Sequence, residues 1–125
     1  IAGHVTIEDW AILEGMVGVQ QFVTIGKHAF VAGGSMVRKN IPPFVKAARE
    51  PLSFIGVNSI GLRRRGFANE QVVNIEDIYR TLYIQNGNIS QALRIAETEL
   101  PQSAEKSVIL EFISASDKGI IRGPF

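Results

Sequence analysis

Cysteine is absent from all 125 residues, which excludes disulfide staples, thiolate zinc sites and cysteine nucleophiles. Histidine is nearly absent: a zinc site built on His4 and His28 would need a third imidazole, and the chain has none. No apolar run approaches the ~20 residues of a membrane span, and no basic stretch leads into an apolar leader-like segment. The expected compartment is therefore cytoplasmic. An excess of one charge is missing too. Thirteen Lys and Arg against twelve Asp and Glu leave a net charge of +1, so no chain-wide field points to nucleic acid. With 46% apolar and 20% charged residues, the composition suits one small globular domain or part of a larger one.

What the chain does have is a repeat. Read in sixes from residue 1 it runs IAGHVT, IEDWAI, LEGMVG, VQQFVT, IGKHAF, VAGGSM, VRKNIP. The first position is Ile1, Ile7, Leu13, Val19, Ile25, Val31 and Val37; the fifth is Val5, Ala11, Val17, Val23, Ala29, Ser35 and Ile41, small or β-branched throughout. A period of six matches neither the two of a strand nor the 3.6 of a helix. It matches a parallel β-helix in which each hexad gives one short strand and one corner, with three sides to a coil and the aliphatic column turned inward. A β-sandwich, the competing architecture, would show turn signals at irregular spacing of about 8–12 residues. The expectation is residues 1–43 as coils with the seven first-position residues buried.

Pro42 and Pro43 remove consecutive backbone donors, so the repeat is expected to stop there. Residues 44–57, with their own Pro51, read as an irregular connector. From 58 to 125 the period is helical. Asn58 can cap a short helix through Leu62 to Arg65, closed by Gly66. Ile75, Ile78, Tyr79 and Leu82 mark one face of a helix over about 69–85, stopped by Gly87. Asn88 with Gln91 starts another, running to Leu100 before Pro101, and Ser103 starts a last one. That last helix has Val108, Leu110, Phe112 and Ile113 as its apolar side and Gly119 as its stop.

Hexapeptide β-helices are common in acyl- and acetyltransferases, and particular stretches narrow the field. Ala2-Gly3-His4-Val5, Gly15-Met16 with Gln20-Gln21-Phe22, Pro42-Pro43, Gly56-Val57-Asn58 and Gly61-Leu62-Arg63-Arg64-Arg65-Gly66-Phe67 resemble the cytosolic UDP-N-acetylglucosamine O-acyltransferases that begin lipid A synthesis in Gram-negative bacteria. The block GVNxxGLxRRGF is the most specific of these. The resemblance runs from Ile1 to about Arg122. It implies a left-handed parallel β-helix followed by a small helical domain, in a homotrimer with active sites between neighbouring subunits. It also implies transfer of a 3-hydroxyacyl chain from acyl carrier protein to the 3-hydroxyl of the sugar, without metal or organic cofactor. The family's general base is a histidine in a His-x-x-His-Asp stretch one coil before the Ala-Gly-His segment. The chain corresponds to the C-terminal half of such an enzyme, so that base is expected upstream of Ile1.

By the same resemblance, the backbone amide of Gly3 stabilises the oxyanion and His4 lines the sugar site. Gln20 and Gln21 hydrogen-bond substrate, and Asn58, Arg64 and Arg65 reach the nucleotide or the carrier protein. Gly33 limits the depth of the acyl groove. Three positions depart from the family pattern: Gln20 stands where a histidine is expected, Ile60 where relatives can carry an acid, and Pro51 where another histidine is expected.

Read without the resemblance, His4 and His28 are ordinary corner residues, and His28 is expected to be exposed. Arg63–Arg65 are a solvated helix end favoured by the helix dipole. Phe22, Phe30, Phe44 and Phe54 are packing residues. Yet Arg38, Lys39, Lys46, Arg49 and Arg63–Arg65 place seven cations in 28 residues, with Glu50 the one acid among them. Such a patch suits an acidic carrier protein or a pyrophosphate. Two other readings stay open: a non-catalytic β-helix that mediates trimerisation, and the sister N-acyltransferase acting on the amino sugar.

Overall fold

The computed structural model describes residues 3–84, 88–117 and 119–124. Six two-residue strands come first: β1 (Thr6–Ile7), β2 (Ile12–Leu13), β3 (Gly18–Val19), β4 (Thr24–Ile25), β5 (Phe30–Val31) and β6 (Met36–Val37). The first three pair in parallel with the strand three further on: Thr6 with Thr24, Ile12 with Phe30, Gly18 with Met36. The chain thus returns beside itself every eighteen residues, three sides to a turn, as the period of six predicts.

Each corner closes with a four-residue turn. Ala11 N donates to Glu8 O, Val23 N to Gln20 O and Ala29 N to Gly26 O. The third residue of every turn has positive φ: His4, Trp10, Met16, Phe22, His28 and Gly34, again one in six. That is the backbone requirement of a type II turn, here met mostly by large residues. A left-handed backbone throws the fourth side chain of each hexad outward, while the first and fifth turn inward.

Val19, Ile25, Val31 and Val37 are buried, Leu13 is half-buried and Ile7 is 43% exposed. Burial deepens along the chain from Ile7 to Val37. Ile1 lies outside the described residues.

The expected stop at Pro42-Pro43 is corrected. After Val37 the corner shortens by two residues, so Ile41 bridges Ile25 and Ala47 pairs Val31 at an offset of sixteen. The coil then continues through another turn in which Phe44 has φ 72°. Pro43 precedes it, in the turn position that favours a fixed φ and needs no donor. Gly26 allows this close stacking: a β-carbon there would lie 2.5 Å from Pro43 N. The expected irregular connector is likewise regular: β7 (Val45–Ala48) joins β5 in parallel, and β8 (Ser53–Val57) turns back antiparallel on β7.

Four helices follow among the described residues, α1 (Ser59–Arg64), α2 (Asn69–Tyr79), α3 (Ile89–Glu99) and α4 (Ala104–Ser114), with a π-helical stretch at Arg80–Ile84 after α2. Asn88 Oδ1 accepts from Gln91 N, and Ser103 Oγ accepts from Lys106 N, two of the three expected caps. Gln85 and Gly87, the expected end of the second helix, lie outside the described residues. Gly119 does not stop α4, which ends at Ser114 with Ala115 as its C-cap; it turns the chain back, and its carbonyl accepts from Asn40 N. The inner face of α4 is Ile109, Ile113 and the stem of Lys106, with Val108, Leu110 and Phe112 only half-buried. Lys106 Nζ donates to the Glu97 and Leu100 carbonyls at the end of α3. No helix among the described residues is long and apolar enough to cross a membrane.

Helix and coil meet over aromatic rings. Phe54 stacks on Tyr79 and Tyr83 at 5.5 and 4.6 Å, and the fully buried Tyr79 hydroxyl donates to Pro43 O at 2.6 Å. Tyr79→Phe strips a buried carbonyl of its donor and should lower unfolding free energy by about 1–3 kcal/mol, measured by urea denaturation.

A second set of rings runs up one corner. His28 lies parallel to Trp10 at 6.5 Å and to Phe44 at 5.9 Å, and edge-on to Phe67 at 5.0 Å. Expected as an exposed corner residue, His28 is half-buried. Burial first, then the Arg65 and Lys27 charges, hold its imidazole below the ordinary 6.5, with Asp9 opposing. The unfolded chain therefore takes up this proton first as pH falls. Stability from this group is complete above pH ~6.5 and declines below it. The thermal midpoint should drop between pH ~7.5 and ~5.5, and the drop should be smaller in His28→Gln.

Candidate functional site

The coil sorts the predicted residues among its three corners. Gly3 and His4 sit on the first, with His4 at φ 57° and its ring stacked on Phe22, one coil on, at 5.3 Å. Gln20 and Gln21 precede Phe22 on the same corner, so Gln21 stands one coil above Gly3. Gly3, His4, Gln20 and Gln21 are all exposed. One further coil on, Arg38 follows Val37 as Gln20 follows Val19, and Arg38 and Lys39 thereby join this column. They enter a cleft of about 610 Å³ lined also by Met36, Leu52, Ile121 and Arg122. Coils rise by the ~4.8 Å of adjacent strands. The column is a short ladder of imidazole, amide and cation with its apolar floor at the far end.

Arg64 and Arg65 belong to the second corner. The link is Asn58, which is buried. Its backbone N donates to Phe44 O, and its Nδ2 donates to His28 O at 3.1 Å. Asn58 precedes α1 without capping it by its side chain. The amide instead ties α1 to the ring column. From α1 the Arg65 guanidinium reaches the Trp10 ring, 3.8 Å from Cζ to the ring centroid. Arg63 donates to Asn69 Oδ1, and Arg64 is exposed.

Gly33 is on the third corner. Its N–H donates to Glu14 Oε1, and a β-carbon at this position would lie 3.1 Å from the Gly15 carbonyl of the coil below. Beside it Gly34 takes the turn position at φ 77°. Gly33 itself has no positive φ, so close approach rather than conformation favours glycine there.

The basic patch read from the sequence is therefore not one surface. Arg38 pairs with Glu50 at 3.3 Å on the first corner. Lys46 lies over the Phe30 ring at 5.7 Å on a sheet face, and Arg65 lies over Trp10 on the second corner. Sequence reading missed Trp10 altogether, and it placed Arg38 and Lys39 in a patch rather than beside Gln20 and Gln21. The period of six held the signal for the second, in its register; Trp10 is set by a left-handed backbone that no residue pattern marks. No group of three or more His, Asp or Glu among the described residues is placed to hold a metal ion.

Residues 40–121 match the family described as "Udp N-acetylglucosamine O-acyltransferase; Domain 2". The chain is 38% identical over 122 residues to the acyl-[acyl-carrier-protein]–UDP-N-acetylglucosamine O-acyltransferase of Thiobacillus denitrificans, covering 98% of this chain and 47% of that protein. The protein of the same name from Burkholderia lata is 43% identical over 127 residues, covering 98% and 48%. Among solved structures, the UDP-N-acetylglucosamine acyltransferase of Bacteroides fragilis superposes with a TM-score of 0.95 at 44% identity, covering 98% of this chain and 48% of that one. The Arabidopsis enzyme gives 0.87 at 31%, covering 98% and 45%. The chain spans about half the length of the curated relatives it matches. A match over most of its residues, reaching from the last coil through α4 and joined to the same backbone in three dimensions, places the chain in the UDP-N-acetylglucosamine O-acyltransferase family.

Proposed function

We propose that the chain forms the C-terminal part of a cytoplasmic enzyme that moves a 3-hydroxyacyl group from acyl carrier protein to the 3-hydroxyl of UDP-N-acetylglucosamine, the first step of lipid A synthesis. The observation that carries this reading is family membership together with the exposed first-corner column of Gly3, His4, Gln20 and Gln21. The sugar oxygen attacks the thioester carbonyl carbon, the C–O bond forms, and the C–S bond breaks as the carrier thiol leaves with a proton. The Gly3 amide donates to the oxyanion that develops between those events; such a donor typically supplies about 2.7–4 kcal/mol. His4 and the two glutamines orient the sugar. The base that takes the hydroxyl proton comes from the family's His-x-x-His-Asp stretch, which is not among these residues. No metal or organic cofactor has a part in this scheme.

We infer a homotrimer of left-handed β-helices. Corners of one copy point away from one another, so His4, Arg65 and Gly33 can serve one substrate only across a boundary between copies. Met16, 90% exposed, and the exposed Ile12 give that boundary apolar surface of the kind a like copy covers. Gly33 then borders the acyl groove and limits its depth.

In the intact enzyme, Arg64→Ala and Arg65→Ala should each raise KM for an anionic substrate, and the penalty should shrink as salt rises, because exposed charges are screened over ~8 Å at physiological ionic strength. Unchanged kinetics at low salt would make both ordinary surface charges. Gly33→Met should shift preference toward shorter acyl chains, about fourfold per excluded methylene at ~0.8 kcal/mol each. Competition between acyl carriers of different length reads this directly. Gly33→Ala separates the alternative, since pressure on the Gly15 carbonyl alone would lower activity with every chain length alike.

A further inference from the structure

Trp10 and Arg65 are 55 residues apart in sequence and in contact in space. Trp10 is 56% exposed, yet its ring is held. Its backbone is set by the corner turn at φ 64°, and its ring lies parallel to His28, which is itself wedged between Phe44 and Phe67. Asn58 fastens α1 to the same column through the His28 carbonyl. Shelf and arginine are therefore anchored to one another twice, once through rings and once through backbone.

The contact leaves the arginine's chemistry intact. Stacking occupies the face of a guanidinium, whereas anions are gripped by its N–H edge, two parallel donors at a time. The two ion pairs among the described residues are Arg38–Glu50 and Arg80–Asp77, so no described carboxylate takes the Arg65 edge. An unheld arginine would lose rotamer freedom on binding; one already lying on a ring loses less. The shelf also belongs to the coil that carries His4, so it brings a cation from beyond the last coil down to the level of that histidine.

We propose that Trp10 is a positioning residue that pre-stacks Arg65 as a grip for the phosphates of the nucleotide sugar. This rests on Arg65 being a substrate residue, as proposed above. A pyrophosphate offers paired oxygens to one fork; an acidic protein surface spreads its charge over many points and needs no single oriented edge.

The test is steady-state kinetics of the full-length enzyme with UDP-N-acetylglucosamine and a 3-hydroxyacyl carrier thioester, each varied in turn. Trp10→Leu should raise KM for the nucleotide sugar about two- to fivefold, the value of an exposed cation–π contact, with kcat within about twofold. Trp10→Phe, which keeps an aromatic face, should restore most of it. In an Arg65→Ala background, Trp10→Leu should add nothing, because its effect acts through that guanidinium. The proposal is overturned if Arg65→Ala raises KM while Trp10→Leu does not. It is equally overturned if the Trp10→Leu effect persists undiminished without Arg65, or if the rise falls on the carrier thioester. If Arg65→Ala leaves both KM values unchanged, the reading of Arg65 as a substrate residue fails and takes the shelf with it. Should Trp10→Leu not fold, Trp10→Phe and Trp10→Tyr carry the same double-mutant comparison.

Discussion

A left-handed backbone at every sixth residue is the constraint on which the rest of this molecule depends. Only glycine takes that conformation freely; for other residues it costs about 1–2 kcal/mol. Here it is imposed on His4, Trp10, Met16, Phe22 and His28 in succession. What offsets it is the ladder that the turns make possible, in which Thr6 N reaches Val23 O, Ile12 N reaches Ala29 O and Gly18 N reaches Ser35 O. A side chain pushed outward at each corner then meets the one a coil above. His4 on Phe22, and Trp10 on His28 on Phe44, are the result. The strained position is thus also the one whose side chains stack from coil to coil.

Display at corners has a consequence for the chemistry. Three corners cannot converge on one point, so each column can specialise. The first carries imidazole and amides, groups that orient hydroxyls and carbonyls. The second carries stacked rings and a guanidinium. The third carries glycines, where coils approach closely and leave room. In the threefold assembly we propose, a narrow solenoid would gain a concave site by placing different corners of like copies side by side.

Most of the coil was legible because it is periodic. First and fifth positions are aliphatic or small for one reason, inward packing, and Val19 through Val37 behave accordingly. The proline reading failed because Pro43 was judged as a ladder residue, whereas it stands in a turn that wants its fixed φ. The two-residue shortening after Val37 moved the register, so the continuation through Phe44 to Ala48 no longer matched the frame of six. The fourth position escaped notice for a different reason. His, Trp, Met and Phe share no property that marks a left-handed corner, and only the backbone reveals it. Gly3, His4, Gln20 and Gln21 could be grouped in advance by an offset of eighteen. Arg65 could not, because its place depends on Asn58, whose side chain looked like a helix cap and is instead a tether to His28.

The helices that this tether holds also cap the coil. A stack of coils ends in an exposed aliphatic floor, and repeat architectures need a terminal element to cover it. Here β8 turns back on β7 and places Phe54 inside, α2 lays Ile75, Ile78 and Tyr79 within the same core, and Tyr79 satisfies the Pro43 carbonyl. The C-terminal segment closes the opposite side, with Asn40 N donating to Gly119 O, Ile121 N to Asn40 O and Tyr83 Oη to Ile121 O. Asn40 Oδ1 meanwhile accepts from Thr24 N. Asn40 therefore stands where the shortened corner, the ladder and the chain terminus meet. Arg38 and Lys39 immediately precede it, and Arg122 lines the same cleft. Capping the coil and building the basic end of the first-corner column are one structural act, which is why the cations lie where the repeat changes register.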